Sequence, residues 1–216
     1  MMTIAGIDTA IIYAGSCLGL CNWPTKVGWQ HQQQHGKDFL GAIVKACRAQ
    51  GLNIVIYLNV WSRKAYDERP EWRIILPDGK GTVERGNFRF GLCCPNTNYS
   101  KYFLDLIDEL NGSYECEGLW VDMIGWFSMV CYCPACRARF QAETGYAELP
   151  RKIDWKDPQW LAFQNCREKW LAEFARAISQ KVKARHPERS LALQTASVFG
   201  GWGGGVNSEF AIFRCS

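Results

Sequence analysis

The chain has no apolar run approaching the ~20 residues that a membrane-spanning helix requires, and its charge has little bias of sign. Twenty-five Lys and Arg face 21 Asp and Glu, a formal net charge of +4, with basic and acidic residues interspersed. A bilayer span is excluded, and polyanionic partners such as nucleic acid are disfavoured, because their binders gather basic residues into a stripe or patch. The segment Met1 to Asp8 lacks a basic n-region, and Asp8 interrupts any apolar h-region. No secretory signal is visible, and a cytoplasmic location is the default expectation. No Gly-x-Gly-x-x-Gly follows an apolar strand-like run. The stretch Gly200-Gly201-Trp202-Gly203-Gly204-Gly205 opens no helical pattern and reads as a flexible loop, which removes the dinucleotide-binding reading.

What is present points to a globular α/β chain. A hydrophobic content of 48% with 21% charge is that of a folded domain, and 216 residues can bury a sizeable core. Ten Trp, eight Tyr and eleven Phe suit sugar-stacking platforms and an ordinary core alike. Eleven cysteines are many for a reducing compartment, where a cluster binds metal more readily than it forms disulfides.

Four strand-like runs alternate with helical patterns. Ala10 to Ala14 is a short apolar run leading into a long loop. Asp38 then caps a helix with Phe39, Leu40, Ile43, Val44 and Cys47 at three- and four-residue spacing, and Gly51 stops it. Leu52 to Val60 is β-rich and almost continuously apolar, the pattern of a strand covered on both faces. From Trp61 to Asn98 the composition turns polar and rich in Pro and Gly, an elaborated loop over a functional face. Ser100 caps a helix ending at Asn111-Gly112. Gly118 to Ile124 is the third strand. A short helix spans Pro134 to Ala142, Asp157-Pro158 opens a long one, and Ser190 to Thr195 is the fourth strand. This alternation predicts a (β/α)8 TIM barrel. A complete barrel takes ~250 residues and eight strands, so the expectation is a partial barrel of about four to five strands, truncated at both ends. Its open edges and uncovered interior invite pairing with another copy.

In a parallel barrel the active face lies at the C-terminal ends of the strands, which singles out Asp122, the polar residue near the end of the third strand. Glu117-Gly118-Leu119-Trp120-Val121-Asp122 resembles the strand of barrel glycosidases whose closing Asp is the nucleophile, notably the α-L-fucosidases of glycoside hydrolase family 29. The chain more closely resembles the bacterial proteins called hypothetical glycosyl hydrolase 6. Three stretches carry that resemblance: Trp23-Pro24-Thr25-Lys26-Val27-Gly28, the helix and strand from Asp38 to Tyr57, and Cys131 to Cys136. It runs from Ile4 to about Ser197 and departs where Gln32 instead of Pro follows His31, and where Glu117 replaces the Asp of a "DG" pair.

The resemblance implies hydrolysis of O-glycosidic bonds, with fucosides or galactosides as substrates and Asp122 as nucleophile. A retaining enzyme then needs a second carboxyl group about 5 Å away; an inverting one spaces the pair further apart. Asp67, Glu68 and Glu71 in the long loop and Glu209 beyond the fourth strand are the candidates; as loop charges, each also has an ordinary solvated role. Tyr13, Tyr57, Asn59, Trp61 and Trp126 at strand ends are candidate sugar contacts, as are Lys26 and His31 in the first loop. The alternative is a non-catalytic carbohydrate-binding barrel, a pseudoenzyme that lacks the acid/base.

Cys131-Tyr132-Cys133-Pro134-Ala135-Cys136 supplies three thiols in a turn leading into a helix, suited to a tetrahedral ion whose fourth ligand comes from elsewhere. The stretch is similar to the zinc site of the family 42 β-galactosidases, which is completed by a Cys just before a Pro and ahead of the preceding helix. Cys94-Pro95 stands there in this chain. The resemblance thus implies a structural zinc on Cys94, Cys131, Cys133 and Cys136, their sulfurs within ~4 Å of one another; reduced, unligated thiols and a use of neighbouring Cys93 are the other readings.

Overall fold

The computed structural model describes residues 6–84, 90–125 and 131–195. Its centre is a four-stranded, fully parallel sheet of β1 (Thr9–Tyr13), β4 (Asn53–Asn59), β5 (Gly118–Ile124) and β6 (Ser190–Thr195), in the order β1-β4-β5-β6. A two-stranded ribbon, β2 (Leu20–Cys21) with β3 (Trp29–Gln30), lies in the loop after β1. The strand order follows the chain without reversal. A doubly wound sheet would reverse it at a switch point and carry helices on both faces.

Among the described residues the helical covering is one-sided. Ala10 and Ile12, Ile54, Ile56 and Leu58, and Leu119 and Val121 point to one face and are buried, with Leu191 and Leu193 packed beside them. Over that face lie α1 (Phe39–Ala49), α3 (Tyr99–Ser113) and α5 (Pro158–Arg185), through Leu40 and Val44, Phe103 and Ile107, and Phe174, Ile178 and Val182. The opposite face is bare at its margins: Ile11 is 49% exposed and Tyr13 60%, and Ser190, Ala192 and Gln194 are not buried either. The continuous apolarity of β4 therefore reflects burial that is complete only toward its C-terminal end, where Tyr57 and Asn59 are covered, while Asn53 is exposed. No helix among the described residues is long and apolar enough to cross a membrane.

Local chemistry explains most boundaries. The Asp38 side chain accepts from Gly41 N–H at the start of α1, and Gly51 adopts φ +70° just past its end. Asp157 caps α5 on Gln159 N–H with Pro158 in the first turn. α3 begins at Tyr99, with Asn98 and not Ser100 as its cap residue, and continues past Asn111-Gly112 to Ser113. The buried Asn111 side chain donates to Val182 O, and the buried Arg189 guanidinium donates to Asn111 O and Tyr114 O, meeting the carbonyls that the helix end leaves free. The long loop after β4 contains α2 (Arg63–Glu68) and a 3-10 turn at Pro70–Trp72, and α4 (Pro134–Thr144) follows the cysteine-rich turn.

Candidate functional site

At the C-terminal end of the sheet, Asn59 on β4 pairs in register with Asp122 on β5. The pairing of β5 with β6 shifts between Val121 and Ile124, a one-residue bulge occupied by Asp122 and Met123. Met123 has φ +64°, a left-handed conformation uncommon for a residue with a side chain. The turn aims Met123 N–H at Asp122 Oδ1, 2.7 Å away. Tyr57 Oη donates to Asp122 Oδ2 at 2.5 Å. Asp122 is only 6% exposed, and Tyr57 and Asn59 are similarly buried.

The direction of these hydrogen bonds follows from their ends. Trp61 N–H can only donate, so the Asn59 atom it meets at 2.8 Å is Oδ1, and the Asn59 amide nitrogen faces Tyr57 Oη at 2.9 Å. The phenol oxygen accepts that bond, leaving its single proton for Asp122. Both carboxylate oxygens therefore receive donors. Burial, then the bond to Asp122, pushes the Tyr57 pKa well up, so Tyr57 stays a neutral donor. Tyr13 packs against Tyr57 with ring centroids 4.5 Å apart and the rings tilted by 50°, and Trp120 meets it edge-on at 5.5 Å. A carboxylate that accepts at both oxygens beside an aromatic floor can act as a nucleophile or stabilise a developing cation.

Tyr13, Tyr57, Asn59 and Asp122 thus form one connected group. Trp61 joins through its backbone, while its indole is buried 6.2 Å from the Phe90 ring and lines a small cavity shared with Met123, Ile124, Leu92 and Cys93. The first-loop residues are held elsewhere. Glu109 of α3 accepts from Trp23 Nε1, Thr25 Oγ1 and Lys26 N–H, fastening this loop to the helical layer with Lys26 itself exposed. His31 Nδ1 accepts from Gln33 N–H and caps a 3-10 turn. Asp67 and Glu68 pair with Arg63 and Lys64 on α2, and Glu71 lies in the first turn of the 3-10 segment. Trp126 and Glu209 lie outside the described residues, as does the Gly200–Gly205 stretch. Glu117, the departure from the "DG" pair, takes a structural place: it accepts from Ile54 N–H and pairs with Arg48, tying β5 to β4 and α1.

The four cysteines converge. The sulfurs of Cys94, Cys131, Cys133 and Cys136 are all buried and within 4.8 Å of one another, with Cys94 and Cys136 at 3.4 Å. Zinc–sulfur bonds of about 2.3 Å at tetrahedral angles would set the sulfurs about 3.8 Å apart, a spacing that lies between the 3.4 Å of this pair and the 4.8 Å limit of the cluster. Donors surround the sulfurs: Ile75 N–H and Cys133 N–H point at Cys131 Sγ, Cys136 N–H at Cys133 Sγ, and Asn96 Nδ2 at Cys136 Sγ at 3.2 Å. Hydrogen bonds with Cys131, Cys136 and Cys94 pull the Cys133 thiol down, while burial and hydrogen bonds with Cys131, Cys133 and Cys136 hold Cys94 up. Four thiols in one buried space cannot all ionise unless a cation joins them. Cys93 is buried beside the cluster and contributes no ligand.

Sequence reasoning missed Met123, Asn96 and Glu109. A methionine carries no signal of left-handed backbone, and the other two act across 40 and 83–86 residues of chain.

Comparisons with known proteins agree with this architecture. An α-L-fucosidase isoenzyme from Paenibacillus thiaminolyticus superimposes with a TM-score of 0.71 at 20% identity, over 89% of this chain and 28% of that one. The PgaB (BpsB) glycoside hydrolase domain from Bordetella bronchiseptica gives 0.63 at 13% identity, over 87% and 54%. A β-galactosidase from the haloarchaeon Halorubrum lacusprofundi gives 0.63 at 14% identity, over 89% and 33%. These likenesses show the fold, of which the chain holds a parallel four-stranded part, and it spans about a third or less of two of the three and about half of the other. No curated protein matches it. The family described as hypothetical glycosyl hydrolase 6 matches residues 1–123, from before β1 through Asp122 and Met123, and the chain belongs to that family.

Proposed function

We propose that the chain carries the nucleophile half of a retaining glycoside hydrolase, with Asp122 attacking the anomeric carbon of a fucoside or galactoside. The observation supporting this is the pair of donors, Tyr57 Oη and Met123 N–H, that orient the Asp122 carboxylate near the C-terminal end of a parallel strand. Tyr13 and Trp120 beside Tyr57 offer aromatic surface to a sugar ring. The acid/base comes from outside this group. The further strands that would close a barrel, and with them the whole substrate site, belong to the same proposal.

Cys94, Cys131, Cys133 and Cys136 hold a structural zinc in this reading. Four thiolates fill a tetrahedral shell and leave no position for a reacting water, so the ion braces loops and takes no part in hydrolysis. Cys94 belongs to the loop after β4 and Cys131 to the loop after β5, and the brace therefore joins the two loops that follow Asn59 and Asp122.

The test is hydrolysis of a panel of aryl glycosides by the full-length protein and by its Asp122→Asn variant, which keeps the shape and loses the attacking charge. Turnover by the parent and its near-complete loss in the folded variant are expected. A second reading, a carbohydrate-binding pseudoenzyme, is favoured by the engagement of Asp67 and Glu68 in ion pairs on α2; sugar binding without turnover would establish it.

A further inference from the structure

We infer that Tyr57 is a positioning residue whose proton serves the second half of the reaction, the departure of Asp122 from the sugar. This rests on the reading of Asp122 as nucleophile. In the first half, an Asp122 oxygen forms a bond to the anomeric carbon as the bond from that carbon to the leaving oxygen breaks. That electron pair goes to the leaving oxygen, which takes its proton from the acid. In the second half, water attacks the anomeric carbon and gives its proton to the base, and the bond to Asp122 breaks with its electron pair returning to the carboxylate. Negative charge disappears from Asp122 in the first half and reappears in the second.

Tyr57 cannot turn away from that charge. Its oxygen is occupied by Asn59 Nδ2, Asn59 is fixed by Trp61 N–H, and its ring is held between Tyr13 and Trp120. The O–H therefore stays aimed at Asp122 Oδ2 throughout. A donor preorganised where charge reappears lowers the barrier to the second half. The same donor stabilises the free carboxylate before attack, so it does not accelerate the first half. Tyr57 transfers no proton; Met123 N–H supplies the second, fixed anchor for the carboxylate.

The signature is a divided kinetic effect. With a 2,4-dinitrophenyl glycoside of whichever sugar the full-length protein hydrolyses, Tyr57→Phe should lower kcat roughly 10- to 100-fold, the range of one hydrogen bond to a charged group. KM should fall with it, leaving kcat/KM changed far less. A burst of dinitrophenol should appear, and mass spectrometry of the quenched protein should find the glycosyl adduct on Asp122. Phe keeps the ring contacts, and an unchanged melting temperature would show it. Asn59→Ala, which frees the phenol to rotate, should give the same pattern more weakly and serves if Tyr57→Phe does not fold. Asp122→Gly with added azide tests the nucleophile separately. If azide restores turnover yet Tyr57→Phe depresses kcat and kcat/KM equally with no burst, Tyr57 has only a structural role and the inference is overturned. If azide restores nothing and no adduct forms, the nucleophile reading falls and the inference with it.

Discussion

Asn96 offers the sharpest test of the cysteine centre because it touches a sulfur without being a ligand. Its Nδ2 lies 3.2 Å from Cys136 Sγ, and its Oδ1 accepts from Arg139, which is held by Glu143 and Glu173 and lies over the Trp170 ring. The amide is thus fixed in place with the positive end of its dipole aimed at one sulfur. Removing such an outer partner lowers metal affinity about 10- to 100-fold, or about 1.4–2.7 kcal/mol at about 1.36 kcal/mol per decade. The perturbation is Asn96→Ala, and the assay is competition for zinc against a chromophoric chelator, read beside the parent protein and a Cys136→Ser control. The parent should hold one zinc per chain, Asn96→Ala one zinc at weakened affinity, and Cys136→Ser far less. An Asn96→Ala protein that binds as tightly as its parent would refute the role of this contact, and a parent purified without chelator yet lacking stoichiometric zinc would refute the metal centre itself.

Glu109→Ala strips three donors of their shared acceptor, one of them the indole N–H of the buried Trp23. It should cost about 3 kcal/mol, a fall in melting temperature of roughly 6–12 °C at this chain length, and thermal unfolding of parent and variant differing by under a degree would contradict the anchoring role. Burial works to raise the Glu143 pKa, but hydrogen bonds from Arg139, Lys169 and Trp170 prevail and hold it below its ordinary value of about 4.5. A depressed folded pKa adds stability that is present above the unfolded value and disappears as pH falls through the folded one. Stability measured by urea unfolding should therefore drop below about pH 4.5 in the parent and drop less steeply in Glu143→Gln; parallel pH curves would exclude this contribution.

The residues that spoke clearly in the sequence are those whose signals are local. Asp38 and Asp157 announced their helices because a cap acts within three residues, and Gly118 to Ile124 was readable as a strand because its neighbours on both sides are apolar too. The helix α2 has a local cap too, Ser62 on Ala65 N–H, but its six residues show no apolar period: only Ala65 and Tyr66 are buried, and ion pairs of Arg63 with Asp67 and Lys64 with Glu68 hold the rest. Ser100 looked like a cap, yet the helix has already begun at Tyr99, which is drawn inward with its hydroxyl bonded to Val60 O. In the site, the motif around Asp122 was legible and its geometry was not. The αL turn at Met123 and the relay from Trp61 through Asn59 and Tyr57 are products of strand register, which joins residues 65 positions apart.

The bare face of the sheet connects fold to function, and a single substitution can ask what covers it. Ile11 lies on β1, an edge strand, and its side chain shares a face with Tyr13 and Tyr57. In the 216-residue chain about half of Ile11 is in water, so Ile11→Lys should cost little stability, and a charge on an exposed edge should suppress self-association. If the functional protein closes this face with further strands, as proposed, position 11 is interior there, and burying an unpaired ammonium costs several kcal/mol. The sign of the effect should therefore reverse with length: Ile11→Lys makes the short chain more monodisperse in sedimentation and makes a polypeptide extended in both directions unfold more easily. Tyr13→Phe on the same strand keeps the apolar ring and should do neither. A short chain that is already a monodisperse, fully active monomer would defeat the proposal, since nothing would then remain for the missing strands to cover. An extended protein whose stability is unchanged by Ile11→Lys would place the face in contact with water even in the complete molecule.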